Sequence, residues 1–322
     1  MIWAMNDKKY IKTAKSSGLD VLSDVLYLLK LDVDIYHNAK VCGDWRIDEH
    51  KLGATCFHII TLGQCVMHIP NAETVVLTHG DLVIFPRELT HHILPMESLT
   101  GEQQHLSFSE AQSIPGTGLL CGEVIFKHRG SRLLLDQFPS FFIIKNSSDN
   151  VWLKAILDMI IIENTNNQAA SRLIINRLSE LLFTYAIRQQ LNDNPDNSGM
   201  LRIYNHSRLS KAIECIHKNP EKNWTLENLA KIAGLSRTLF AENFKAVCGW
   251  TPGQYLVWWR MQIAWSLLSK GEMVSQVAEQ VGYHSESSFS RAFSKMFSIT
   301  AGKVRRNGMQ RDTTATQNMD AL

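Results

Sequence analysis

Residues 224–255, WTLENLAKIAGLSRTLFAENFKAVCGWTPGQY, return in weak echo at residues 272–304, EMVSQVAEQVGYHSESSFSRAFSKMFSITAGKV. Leu229-Ala230-x-x-Ala233-Gly234 corresponds to Val277-Ala278-x-x-Val281-Gly282 at an offset of 48, and Phe240-x-x-x-Phe244 to Phe289-x-x-x-Phe293 at an offset of 49. The second turn is therefore one residue longer. In each copy a small residue, Ala230 or Ala278, lets two helices cross closely. The glycine that follows permits a left-handed turn, and a serine, Ser236 or Ser285, stands where it caps the next helix. This pattern predicts a duplicated helix-turn-helix unit. The phenylalanines at i and i+4 share a face and anchor the second helix in the core, leaving its other face to solvent or a ligand. Between the copies, residues 252–268 predict a helix about 25 Å long that holds the units apart. Two reading helices about one DNA turn apart, near 34 Å, would enter successive major grooves. Straight DNA does not match a rigid linker freely, so bending of the duplex or release of one unit is expected.

Charge supports this reading. Residues 205–306 hold 14 Lys and Arg against seven Glu and no Asp, a net of +7, whereas the rest of the chain carries a net of −5. A basic domain joined to an acidic one fits phosphate-backbone binding. The chain has 322 residues, which suggests two domains. No apolar run approaches the roughly 18 residues of a membrane span. The N-terminal lysines are not followed by a secretory signal pattern, so a cytoplasmic protein without a membrane partner is expected. Six cysteines without a C-x-x-C pair argue against a structural zinc site or a disulfide framework.

Upstream, the texture changes. Residues 1–19 and 308–322 read as polar tails, and 192–204, with NDNPDNSGM, as a linker between a domain at 20–191 and one at 205–307. Residues 20–30 predict a short amphipathic helix. From 42 to 144, short apolar runs at 55–62, 65–69, 74–77 and 81–85 are punctuated by Gly53, Gly63, Pro70-Asn71 and Gly80. Strands this closely spaced leave no room for crossover helices and predict an antiparallel barrel or jelly roll. Residues 151–163 and 171–191 predict a helical hairpin that either covers the barrel or pairs subunits. The expected class is α+β multidomain: a β-barrel with a helical hairpin, then an all-α double helix-turn-helix.

The C-terminal motifs resemble the AraC/XylS family of transcription regulators over residues 205–307. They are Trp224-Thr225-Leu226 into Leu229-Ala230, Gly249-x-x-Pro252-x-x-Tyr255, Arg260 with Ala264 and Leu267-Leu268, and Val281-Gly282-Tyr283 into Phe289-Ser290-Arg291-Ala292-Phe293. Asp20 to Leu29, Gly43-Asp44-Trp45 and Gly80-Asp81-x-x-x-x-Pro86 resemble the cupin-like sensor of one branch of that family. The resemblance implies DNA contacts by Arg237, Thr238, Ala241 and Glu242 in the first unit and by Glu286, Ser287 and Arg291 in the second. Arg291 suits bidentate donation to guanine, whereas Glu242 stands where relatives carry a basic or amide residue. Ser236, Lys245, Ser285, Lys295, Lys303, Arg305 and Arg306 are the expected phosphate contacts. Ser298 and Ala301 depart from the usual Gly and Pro of the second unit's closing turn.

The sensor candidates are Cys42 and Cys121 for thiol oxidation and His58 and His91 for the barrel interior. His58 lacks the ligand spacing of a cupin metal site, so neither a metal nor another cofactor is expected. The expected function is a DNA-binding transcription regulator, not an enzyme, controlled by a small effector or by oxidation. Its expected partners are promoter DNA, a second copy of itself, and RNA polymerase if it acts as an activator. The competing reading is a metal-dependent cupin enzyme with an accessory DNA-binding domain.

Overall fold

The computed structural model describes residues 21–29, 31–48, 54–70, 74–97, 100–107, 113–126, 135–136, 138–147, 150–166, 168–194 and 202–308. The expected tails, apart from residue 308, and the centre of the expected linker lie outside them. By its contacts the chain forms two units. One spans residues 28–202, and the other joins residues up to 27 with those from 203 onward. The short helix α1, Val21–Leu29, thus belongs mainly to the helical unit.

The sheet unit contains β1 Leu31–Cys42, β2 Thr55–Leu62, β3 Gln64–His68, β4 Val75–Thr78, β5 Leu82–Phe85, β6 His92–Pro95, β7 Gln104–Leu106, β8 Gly116–Phe126 and β9 Phe142–Ile144. They form a six-stranded sheet in the order β7-β1-β8-β2-β5-β9 and a three-stranded sheet in the order β4-β3-β6. Every pairing is antiparallel. Val41, Cys56, Ile60, Val83, Phe85, Leu119 and Cys121 from the larger sheet share one core with Cys65, Met67, Leu77 and Ile93 from the smaller. Trp45 fills the same core.

The expected antiparallel barrel or jelly roll takes the form of an open, two-sheet arrangement rather than a closed barrel. Closure needs strands long enough to tilt and pair continuously around the axis. Here β4, β5 and β6 have four residues and β7 and β9 three, a reach of only about 10–14 Å. Asp81 pins the turn between β4 and β5. Its carboxylate accepts from the Thr78 N–H at 2.8 Å, Lys145 Nζ at 2.9 Å and the Asn146 N–H at 3.0 Å. Burial opposes the charge, but these donors outweigh it and hold the carboxyl below its usual range.

Helices α2, Val151–Asn166, and α3, Ser171–Asp193, pack as the expected hairpin, with Trp152 stacked on Tyr185 at 5.0 Å. Leu153, Ile156 and Ile160 turn inward, whereas Val151, Met159, Ile162, Leu173, Ile174 and Leu181 remain exposed.

The helical unit contains α4 Arg202–Asn205, α5 Leu209–Lys218, α6 Leu226–Ala233, α7 Arg237–Cys248, α8 Pro252–Ser269, α9 Val274–Gln280 and α10 Glu286–Phe297. A last helix, α11, covers residues 301–308. A buried polar chain links α1 to this unit. His217 Nδ1 lies 3.1 Å from Asp24 Oδ2 and Nε2 lies 2.7 Å from the Tyr255 hydroxyl, which is 3.2 Å from the Tyr204 hydroxyl. An ionised Asp24 can only accept, so Nδ1 carries the proton and Nε2 accepts from Tyr255. Burial beneath Trp259, whose ring stacks at 3.5 Å, holds the imidazole below its ordinary range, while Asp24 pulls the other way.

A base with a depressed folded pKa binds its proton more readily in the unfolded chain, so its stability is lost as pH falls below about 6.5. The helical unit should therefore weaken on acidification toward about pH 5.5. His217→Gln should flatten that limb in denaturant titrations followed by tryptophan fluorescence. An unchanged pH profile in the variant would exclude His217 as its source.

Candidate nucleic-acid interface

Both copies fold as paired helices, α6 with α7 and α9 with α10, and the turn chemistry matches the sequence pattern. Ser236 Oγ accepts from the Leu239 N–H and Ser285 Oγ from the Ser288 N–H, both at 3.3 Å, so each serine caps its helix. The turn glycines have positive φ, 64° at Gly234 and 80° at Gly282. Gly234 has open space where a Cβ would go, but at Gly282 that atom would lie 2.4 Å from the Glu221 carbonyl oxygen. Conformation alone demands the first glycine. Close backbone approach demands the second as well.

Phe240, Phe244, Phe289 and Phe293 are fully buried, and the faces opposite them are open. On α7 the exposed residues include Arg237, Thr238, Glu242 and Lys245, whereas Ala241 is half-buried. Ala241, Glu242 and Lys245 line a groove of about 500 Å³ together with Trp224, Leu226 and Leu256. On α10, Glu286, Ser287, Arg291 and Lys295 are exposed. Ser287, Arg291 and Lys295, at i, i+4 and i+8, form one stripe along the helix. Arg237 is engaged by Glu227 at 3.4 Å, a surface pair worth at most about 1 kcal/mol. Arg291 meets no carboxylate among the described residues.

The basic residues near the end of the unit divide. Lys303 and Arg306 are exposed, while Arg305 is half-buried and donates from Nε to the Gly271 carbonyl at 3.0 Å. This bond ties α11 to the turn that follows α8. The residue overlooked in the sequence is Leu239, which is 44% exposed on α7. It falls off the Phe240–Phe244 stripe, and an apolar side chain there can meet a thymine methyl.

The closing turn of the second unit forms despite the absence of the usual Gly. Ser298 takes φ 54° and ψ 28°, and its N–H donates to the Ser294 carbonyl at 2.9 Å. A left-handed residue with a Cβ costs roughly 1–2 kcal/mol, part of which glycine returns through its greater unfolded-chain entropy. Ser298→Gly should therefore stabilise the helical unit by about 0.5–1 kcal/mol in denaturant unfolding. A lower midpoint at unchanged slope would contradict this.

The linker does more than separate the copies. Tyr255 packs on Phe244 at 5.9 Å from one end of α8, and Trp265 stacks on Phe293 at 5.9 Å from the other. One helix therefore serves both cores, and the segment leading into the first copy touches the second at Glu221 and Gly282.

In the sheet unit, His58 and His91 come together, with Nε2 atoms 3.0 Å apart and both rings buried. His91 Nδ1 donates to the Leu89 carbonyl at 2.8 Å, so its Nε2 accepts from His58. His91 also stacks on Phe85 at 4.2 Å. No group of three His, Cys, Asp or Glu side chains among the described residues is placed to hold a metal ion.

Cys121 lies opposite His58 across β8 and β2, but Cys42 does not join them. Cys42 pairs with Gly116 and Cys121 with His37 on the same ladder. Five residues of strand therefore separate them, about 17 Å, beyond the reach of a disulfide. Burial also pushes the Cys121 thiol far above its ordinary value, keeping it protonated.

Residues 20–192 match a family model described as Cupin, and residues 229–307 one described as Helix-turn-helix domain. The RCS-specific HTH-type transcriptional activator RclR of Escherichia coli is 27% identical, over 89% of this chain and 97% of its own. The HTH-type transcriptional regulator AlkR of Acinetobacter baylyi is 29% identical, over 87% and 96%. A solved AraC-type DNA-binding-domain regulator from Chromobacterium violaceum is 26% identical, covers 32% of this chain and 93% of its own, and has a TM-score of 0.31. No helix among the described residues is long and apolar enough to cross a membrane.

Proposed function

The chain belongs to the AraC-type transcription regulators that carry an N-terminal cupin domain, and from that membership we propose that it reads promoter sequence with both α7 and α10. The observation that carries this is the pair of serine-capped helices, each anchored by two buried phenylalanines and each presenting a polar outer face. The base readers are Arg237, Thr238, Ala241 and Glu242 on α7 and Glu286, Ser287 and Arg291 on α10. Ser236, Lys245, Ser285, Lys295, Lys303 and Arg306 meet phosphates, the serines through the helix-start amides around them.

The cupin domain sets occupancy through a small effector. Burial of Cys42 and Cys121 and their separation along the ladder argue against control by a disulfide between them. The exposed apolar residues of α2 and α3 suit pairing with a second copy, because apolar side chains gain from leaving water. Genome-wide mapping of bound sites, with and without oxidant, tests the whole reading. Discrete promoter sites unchanged in the Cys42→Ser/Cys121→Ser double variant are expected. Binding without site preference would remove the regulator function, and loss of an oxidant response in the double variant would restore thiol control.

A further inference from the structure

Arg260 stands in the middle of α8 and spends its whole guanidinium on backbone carbonyls. Nε donates to Pro220 O at 2.7 Å, Nη2 to Lys222 O at 3.0 Å and Glu221 O at 3.3 Å, and Nη1 to Gly282 O at 3.2 Å. The guanidinium carbon also lies 5.8 Å from the Tyr283 ring centre. The first three carbonyls lie in the segment between α5 and α6 that leads into the first helix-turn-helix unit, while Gly282 is in the turn between α9 and α10 of the second. One half-buried side chain therefore ties the segment leading into the first copy to the turn of the second, at the seam where Glu221 and Gly282 are in backbone contact.

All four acceptors are backbone carbonyls, so the bonds are directional rather than a simple ion pair. A planar fork with five donors can span carbonyls on two elements, whereas a lysine ammonium is a single point that cannot. The seam thus has a fixed geometry, set by a residue whose hydrogen bonds involve neither reading helix.

We infer that Arg260 is a positioning residue that fixes the phase between the two reading helices and thereby the spacing of the two DNA segments that one chain recognises. The inference rests on the reading that both α7 and α10 engage DNA. Its physical basis is effective concentration. Once one unit has bound, a rigidly held partner is presented at its own segment, and a loosened partner is presented there less often. One base pair added between the segments turns the second by roughly 35°, so a rigid seam punishes wrong spacing and a loose one forgives it.

The test uses the full chain and a duplex selected from a random library by the wild-type protein. Companion duplexes carry one segment scrambled, or one base pair added or removed between the segments. Arg260→Ala should lose about tenfold in affinity for the intact duplex, keep its affinity for the half-scrambled duplexes, and show a smaller spacing penalty than wild type. Arg260→Lys, which keeps the helix and the charge, should show the same flattened spacing preference and decides the matter if the alanine variant unfolds.

Equal losses on intact and half-scrambled duplexes, with the spacing penalty retained in both variants, would overturn the inference and leave two-unit DNA reading standing. A wild-type protein that selects only one segment, or none, removes the underlying reading and the inference with it.

Discussion

Arg291→Ala should weaken binding to the selected site by about 1–3 kcal/mol, roughly 5- to 150-fold, while binding to scrambled duplex falls far less. The expectation comes from position and from company. Arg291 lies between the buried anchors Phe289 and Phe293 in sequence but on the opposite side of α10, in the stripe with Ser287 and Lys295. Its neighbours Ser287, Ser288, Ser290 and Ser294 are short, so the helix can sit deep in a groove with the guanidinium leading. No ion pair with another described residue has to be broken first, in contrast to Arg237 with Glu227.

Lys295→Ala serves as the contrast. A phosphate contact should lower affinity about equally on all sequences and reduce the salt slope by about one. Fluorescence anisotropy at several salt concentrations separates the two behaviours. Should Arg291→Ala lose the same factor on specific and scrambled DNA, with a reduced salt slope, Arg291 is a phosphate contact and α10 reads sequence by other means.

The duplicated unit was legible because its determinants are local. Capping serines, turn glycines and phenylalanines at i and i+4 act within a dozen residues, so spacing alone exposes them. What crosses between the copies was not legible. Gly234 and Gly282 are the same letter in the same place, yet only Gly282 is squeezed by Glu221, a residue 61 positions away in sequence. Arg260 entered only as part of a family pattern, because nothing in a sequence reveals which carbonyls a guanidinium will meet.

The sheet domain shows the same limit. Strand positions followed from apolar runs, but β1 lies mostly before the expected β region, although Leu31-Asp32-Val33-Asp34-Ile35 alternates. Barrel against open sheets depends on which edges pair, and that depends on strand lengths at the far ends of the ladder. The His58–His91 pair is another product of topology, joining residues 33 apart through β2 and the loop before β6.

Phe293→Ala should cost the helical unit about 3–5 kcal/mol and abolish selective DNA binding near physiological temperature. Phe293 is fully buried, stacked on Trp265 at 5.9 Å and packed against Phe289 at 5.7 Å and Phe297 at 4.8 Å. Its ring therefore joins the reading helix α10 to the shared helix α8. Truncation leaves a cavity among aromatic side chains that cannot collapse without moving α10, so the loss includes both transfer and cavity contributions.

The readout is favourable because five of the eight tryptophans, Trp224, Trp250, Trp258, Trp259 and Trp265, lie in the helical unit and dominate the fluorescence over Trp45 and Trp152 of the sheet unit. At roughly 4–8 °C per kcal/mol for a unit of this size, the midpoint should fall by more than about 10 °C. Phe293→Leu, which refills most of the space, should recover much of the stability and of the binding. The pattern differs from that of Arg291→Ala, which should leave the midpoint unchanged because its side chain is exposed and unpaired among the described residues. A Phe293→Ala protein with an unaltered midpoint would mean that α10 is not held by this core, and the assignment of its outer face to DNA would lose its structural basis.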